Sequence, residues 1–90
     1  MDFDWNDNKN AENINKHGLS FQEAQEAFLD KDRVILLDIL HSSKEKRYFC
    51  IGKTVGGGIA TVRFTIRKGH IRIIGAGYWR KGKKIYEQHS

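Results

Sequence analysis

Proline is absent from this 90-residue chain, so its turns must rest on nine glycines and on Asn, Asp and Ser. Cysteine occurs once, at Cys50, which excludes an internal disulfide and any cysteine-rich zinc site; a small buried apolar residue is expected there. The histidines are scattered along the chain, so neither a metal site nor a cofactor is expected. There is no apolar run of about 18 residues or more. The acidic, polar N-terminus also lacks the basic-then-apolar pattern of an export signal, so no membrane contact is expected and the expected location is cytoplasmic. Carboxylates are scarce in one half only: residues 46–90 hold eleven Lys or Arg against Glu87 alone, whereas residues 1–45 hold five against ten. This asymmetry fits a polyanion-binding surface built by the second half, or two halves that meet different partners, or halves that neutralise each other on folding.

What is present suffices for one small domain spanning 1–90 with a compact core. Its most telling stretch runs from His70 to Lys81, where the apolar Ile71, Ile73 and Ile74 give way to Gly75 and Gly77 and then to Tyr78, Trp79, Arg80 and Lys81. The isoleucines predict a central strand, and the glycines predict a bend, bulge or close backbone approach. Arg72 sits inside this apolar run. A guanidinium is costly to bury alone, so Arg72 requires an acidic partner, an exposed face or a phosphate ligand.

Elsewhere the pattern predicts a short edge strand at Phe3 and Trp5, then a helix capped by Asn6 or Asp7 and stopped by Gly18. Ile14 and Leu19 are placed to form the apolar pair of a Schellman ending. Ser20 and Glu23 form a capping box that opens a second helix, with Phe21, Ala24, Ala27 and Phe28 on one face. That helix carries Glu23 and Glu26 and no cation before Lys31, which excludes a DNA-reading helix pair. Strands are predicted over 33–40, 47–54 and 59–68, the last with Val62, Phe64 and Ile66 opposite Thr61, Arg63, Thr65 and Arg67. The segment after Tyr78 reads as a short basic helix or a strand extension. Together these elements predict an α+β fold: an antiparallel β-sheet with two N-terminal helices packed on one face.

Two groups of residues can carry chemistry. Lys9, Asn13, Lys16 and His17 cluster on the first helix, where they can present cations and a proton carrier to a phosphate, or simply satisfy the helix's last turn. Arg63, Arg67 and Arg72, extended by Tyr78, Trp79, Arg80, Lys81, Lys83 and Lys84, offer aromatics for stacking bases and cations for phosphates. Their alternative is a solvated sheet face. Asp38 and His41 flank a loop, and a solvated loop rather than a pair is expected.

The strings Phe3-Asp4-Trp5-Asn6, Lys16-His17-Gly18-Leu19-Ser20-Phe21-Gln22-Glu23-Ala24 and Arg72-Ile73-Ile74, with Lys9, Asn13, Phe28, Asp38, His41-Ser42, Arg47 and Ile51-Gly52, resemble the BrnT family of type II toxins. The resemblance implies a RelE/ParE-like fold, ribonuclease toxicity, and neutralisation by a BrnA-type antitoxin that represses its own operon, so that operator DNA is met only through the antitoxin. Where the family commonly continues Ser-Ala-Arg, this chain has Gly75-Ala76-Gly77, and Arg80 is the cation placed to replace the arginine. On this reading the chemistry is metal-independent attack of the RNA 2′-hydroxyl on its adjacent phosphate, with Lys16, His17, Arg72 and Arg80 catalytic. Lys9, Arg63, Arg67, Tyr78, Trp79 and Lys81 bind RNA. The alternative is an inactive or ParE-like, topoisomerase-targeting module.

Overall fold

The computed structural model describes residues 2–89. They form β1 (Phe3–Asp4), α1 (Asp7–His17), α2 (Phe21–Ala24), β2 (Val34–Leu37), β3 (Arg47–Lys53), β4 (Ile59–Arg67), β5 (His70–Gly77) and α3 (Arg80–Gln88), with 3-10 turns at Gln25–Leu29 and Ile39–His41. The strands make one sheet in the order β1-β5-β4-β3-β2. β2 through β5 are antiparallel neighbours, as the alternating sequence predicts. β1 instead joins β5 in parallel, Phe3 beside Ile71 and Asp4 beside Arg72. The whole chain between them serves as the long connection that a parallel pair needs.

Local chemistry sets the N-terminal helices. The Asn6 side chain accepts from the Lys9 N–H at 3.0 Å and starts α1. Gly18 ends it at φ 65° and donates to the Ile14 carbonyl at 2.8 Å, the simple left-handed ending, with Leu19 fully buried and Ile14 half exposed. Ser20 and Glu23 close the expected capping box. α2 lasts only one turn before tightening into the 3-10 segment, yet Phe21, Ala24, Ala27 and Phe28 are all buried.

These residues pack on one sheet face against Cys50, Ala60, Val62, Phe64, Ile73 and Ala76 to form the main core. Phe28 meets the rings of Phe3 and Phe64 edge-on, each at 5.1 Å between centroids. Gly52 makes this approach possible, because a Cβ there would collide with the Ala27 carbonyl. Burial pushes the Cys50 thiol up to about 12, so it behaves as a core residue and not as a nucleophile.

The tail resolves as a helix. α3 lies on the opposite face, where Ile85 and Tyr86 join Val34, Leu36, Ile51 and Ile59 in a second, smaller core. Gly82 lies over Thr61, whose Oγ1 would collide with any side chain at that position. The predicted strand over 33–40 shortens to Val34–Leu37, because the following turn folds Asp38 inward.

Candidate polyanion-binding cleft

Strand register assembles the site. Arg47 pairs with Thr65, Thr65 with Arg72, Arg67 with His70 and Arg63 with Gly75. Since alternate residues share a face, Arg47, Arg63, Arg67 and Arg72 all lie opposite the main core, beside the part of that face that α3 covers. A bulge at Ile74 keeps this alignment: Phe64 pairs with Ile73 and Arg63 with Gly75, leaving Ile74 as the extra residue.

α1 forms the side wall. Its anchor is Asn13, which is buried, donates to the carbonyls of Leu19 at 2.8 Å and Ala76 at 2.9 Å, and accepts from the Ala76 N–H at 3.1 Å. Asn13, grouped by the sequence with Lys9, Lys16 and His17, is therefore a tie between α1 and β5. The tie turns the other three toward the arginines. A cleft of about 370 Å³ is lined by Lys9, Lys16, His17, Arg47, Arg63 and Trp79, with Glu12 as its one carboxylate. A smaller pocket of about 140 Å³ is lined by Asn6, Lys9, Arg47, Arg67 and Arg72, so Lys9 and Arg47 belong to both.

The four arginines differ in their partners. Arg72 finds the acidic partner that its burial required, donating to Asp4 at 3.0 Å. Arg67 makes a two-pronged contact with Glu45 at 2.9 and 3.3 Å. That hydrogen bond holds the Glu45 carboxyl below the usual range and raises Arg67. Arg47 and Arg63 have no ion pair among the described residues. The Nε of Arg47 is moreover buried with no hydrogen-bond partner among the described residues.

Sequence reasoning places Arg47 on a strand without giving it a role. A period-two count ties Arg47 to Phe49 and Ile51, but its place among the other arginines depends on hairpin register. Its backbone is pinned by the preceding turn: the Arg47 N–H donates to Ser42 Oγ at 3.0 Å and its carbonyl accepts from the Asp38 N–H at 2.7 Å. Asp38 itself is buried and pairs with His41 Nδ1 at 2.9 Å. The expected solvated loop is thus a folded turn, in which a 3-10 step brings positions i and i+3 together.

Trp79 closes one end. Its indole meets the His17 imidazole edge-on at 5.3 Å and lies against Gly77, where any side chain would strike the ring. The position at which the family pattern has arginine is thus a seat for tryptophan. The remaining expected residues lie elsewhere. Tyr78 reaches Thr54 Oγ1 at 3.2 Å and packs on Gly58, Lys81 borders an apolar groove of about 540 Å³ beyond Trp79, and exposed Arg80 lines neither cationic pocket. No cluster of three His, Cys, Asp or Glu side chains suited to a metal occurs among the described residues.

A cationic sheet face walled by a lysine-bearing helix and ended by a tryptophan defines a small α+β domain with a surface suited to a polyanion. The chain belongs to the BrnT family: the family model described as the ribonuclease toxin BrnT of a type II toxin-antitoxin system matches residues 5–82. That family implies a protein antitoxin as partner and RNA as target. The fold is that of the Brucella abortus ribonuclease toxin BrnT, whose 1.1 Å crystal structure matches with a TM-score of 0.66 and 23% identity over 88% of this chain and 96% of that one. No curated protein matches the sequence.

Proposed function

We propose that this chain is an endoribonuclease toxin that cuts RNA in the cleft between α1 and the arginine face, without a metal ion. The observation that carries this is the convergence of Lys9, Lys16, His17, Arg63 and Trp79 on one cleft. In the reaction the 2′-oxygen bonds to the adjacent phosphorus as its proton leaves. The P–O5′ bond then breaks, and the 5′-oxygen gains a proton. His17 exchanges one of these protons, and Lys16 and Arg63 hold the charge that builds on phosphorus. The net positive cleft serves this chemistry and repels a divalent cation. Arg72, tied to Asp4, holds substrate from the adjoining pocket rather than sharing the chemistry, and Arg80 acts outside both.

The purified chain should release fragments ending in 2′,3′-cyclic phosphate and 5′-hydroxyl in the presence of EDTA, and His17→Ala should slow this about 10²- to 10⁴-fold. Abolition by EDTA overturns the metal-free mechanism. Gly77 favours a second reading, a binding module without cleavage, either inactive or ParE-like. Toxicity that survives His17→Ala, Lys16→Ala and Arg63→Ala together would establish its ParE-like form, and a native chain that binds antitoxin without toxicity or RNA cleavage would establish its inactive form.

The partner we assign is a BrnA-like antitoxin acting in the cytoplasm and linking the pair to operator DNA. Its acidic and apolar residues would cover Arg63, Arg67, Arg72 and Trp79 in competition with RNA. Association should then slow as salt is added, and a salt-independent on-rate would place the antitoxin elsewhere.

A further inference from the structure

We propose that Arg47 bridges two phosphate subsites, so that the cleft grips two consecutive phosphates of one RNA strand. The reacting phosphate lies beside Lys16, His17 and Arg63, and its neighbour lies beside Asn6, Arg67 and Arg72. This rests on the ribonuclease reading for the identity of the strand, but not for the two subsites themselves.

Three observations carry it. First, the cationic surface is divided into two pockets, and Arg47 and Lys9 are the cations common to both. Second, Arg67 and Arg72 each make an ion pair, whereas Arg47 makes none among the described residues and feels the Glu45 charge only at longer range, and its buried Nε–H has no acceptor there. An orphaned guanidinium donor is costly, and sheets normally satisfy such groups internally. Because that nitrogen is buried, a ligand oxygen arriving between the pockets would meet not Nε but the part of Arg47 that lines both of them. Third, Arg47 is held ready, because the Asp38–His41–Ser42 turn fixes its backbone through both N–H and carbonyl.

The chemistry of the ligand follows from the charges. Lys9, Lys16, Arg47 and Arg63 line the first pocket with His17 and Trp79 against the single carboxylate of Glu12, and three more groups, Asn6, Arg67 and Arg72, extend the second. A planar guanidinium matches two oxygens at once, and successive phosphodiesters present such oxygens at each step along a strand. Trp79 at the far end of the first pocket offers a flat surface to one base, which suits an unpaired strand over a duplex.

The test uses 2′-O-methyl oligonucleotides without terminal phosphates, a dinucleotide with one phosphodiester and a trinucleotide with two. Neither can be cleaved, so binding is read apart from catalysis. By calorimetry at several salt concentrations, the trinucleotide should bind the native chain about tenfold more tightly than the dinucleotide, the size expected of one added charge-assisted contact. Arg47→Gln should erase that gain and flatten the logarithmic salt dependence of trinucleotide binding by about 0.7. Arg47→Lys should restore the salt slope and only part of the affinity. Should Arg47→Gln fail to fold, Arg67→Gln serves, since it should weaken the trinucleotide and spare the dinucleotide.

Equal binding of the two probes by the native chain overturns the proposal, as does an equal loss for both in Arg67→Gln. Binding of hexaglutamate as tightly as the trinucleotide also overturns it, because the cleft would then read charge alone. A stepwise gain that depends on Arg47, in a chain that cuts no RNA, would sink the ribonuclease reading and leave the subsites standing. Cleavage without the gain would do the reverse.

Discussion

The two faces of the sheet are built from the same strands and could hardly differ more. One is closed by α2 and its 3-10 extension, with Val62, Phe64 and Ile73 fully or almost fully buried beneath them. The other is closed only at one end, where α3 seats Tyr86, and is left cationic at the other. Period-two alternation makes the split possible, because every core residue of β4 has an outward neighbour free to serve a different purpose. Within the open face a second difference matters more for function. Arg67 and Arg72 are paired with carboxylates and belong partly to the architecture, whereas Arg47 and Arg63 make no ion pair among the described residues.

Mutations that attack the closed face should have the largest effect. Phe64→Ala removes a ring that touches Phe28 and Tyr48, and should cost about 3–5 kcal/mol in urea denaturation. A loss below 1 kcal/mol would mean that the face repacks freely. Next comes the seam of α3. Gly82→Val places branched carbons on Thr61 and should cost about 1–3 kcal/mol or more, while leaving the α2 side intact.

Tyr86→Phe should cost about 1 kcal/mol by removing the hydroxyl that donates to Asp30 at 2.5 Å. That bond, with burial, raises Tyr86 to about 12. Its contribution is therefore whole below the unfolded phenol value of about 10 and disappears as pH climbs through the folded value. For Asp30, burial pushes the carboxyl up. Hydrogen bonds from Tyr86 and from the Lys53 and Asp32 amides, with the Lys53 charge, outweigh this and lower it. Its share is present above the unfolded carboxyl value of about 3.9 and fades as pH falls through the folded one. Stability curves of the native chain and Tyr86→Phe should accordingly converge at both extremes of pH, and a constant gap would remove the Tyr86–Asp30 link from the account.

The smallest stability effects sharpen the second difference. Arg72→Gln should cost about 0.5 kcal/mol or less, a partly exposed pair being worth little. Arg63→Gln should leave the denaturation midpoint unchanged or higher and still weaken RNA binding. If Arg63→Gln destabilises the fold more than Arg72→Gln does, the division between architectural and ligand-directed arginines is wrong.

Much of this architecture is legible in the amino-acid sequence. The capping box at Ser20 and Glu23, the stop at Gly18 and the alternation through Arg63 and Arg67 are local, and local chemistry decides them. Arg72 is legible as a question, but its answer, Asp4, lies 68 residues away and depends on a parallel pairing that no short pattern encodes. Arg47 stays hidden for the same reason, since its neighbours are chosen by register across two hairpins. The Asp38–His41 pair runs against expectation because burial, invisible in a polar stretch, decides whether such a loop folds inward. At Gly77 the sequence shows a missing arginine, and the fold shows the indole that takes its place.

Asn13 has a consequence for how this protein meets others of its kind. β1 covers β5 for only two residues, and beyond them the strand edge would present bare peptide groups to solvent. The carboxamide of Asn13 imitates a single peptide unit there, giving and taking one hydrogen bond with Ala76. It works as a one-residue strand that caps the growing side of the sheet. Among the described residues the far side has no such guard: β2 pairs with β3 alone, with Ile35 and Leu37 about half exposed. A foreign chain adding to this sheet, whether in orderly assembly or in aggregation, has its way in at β2.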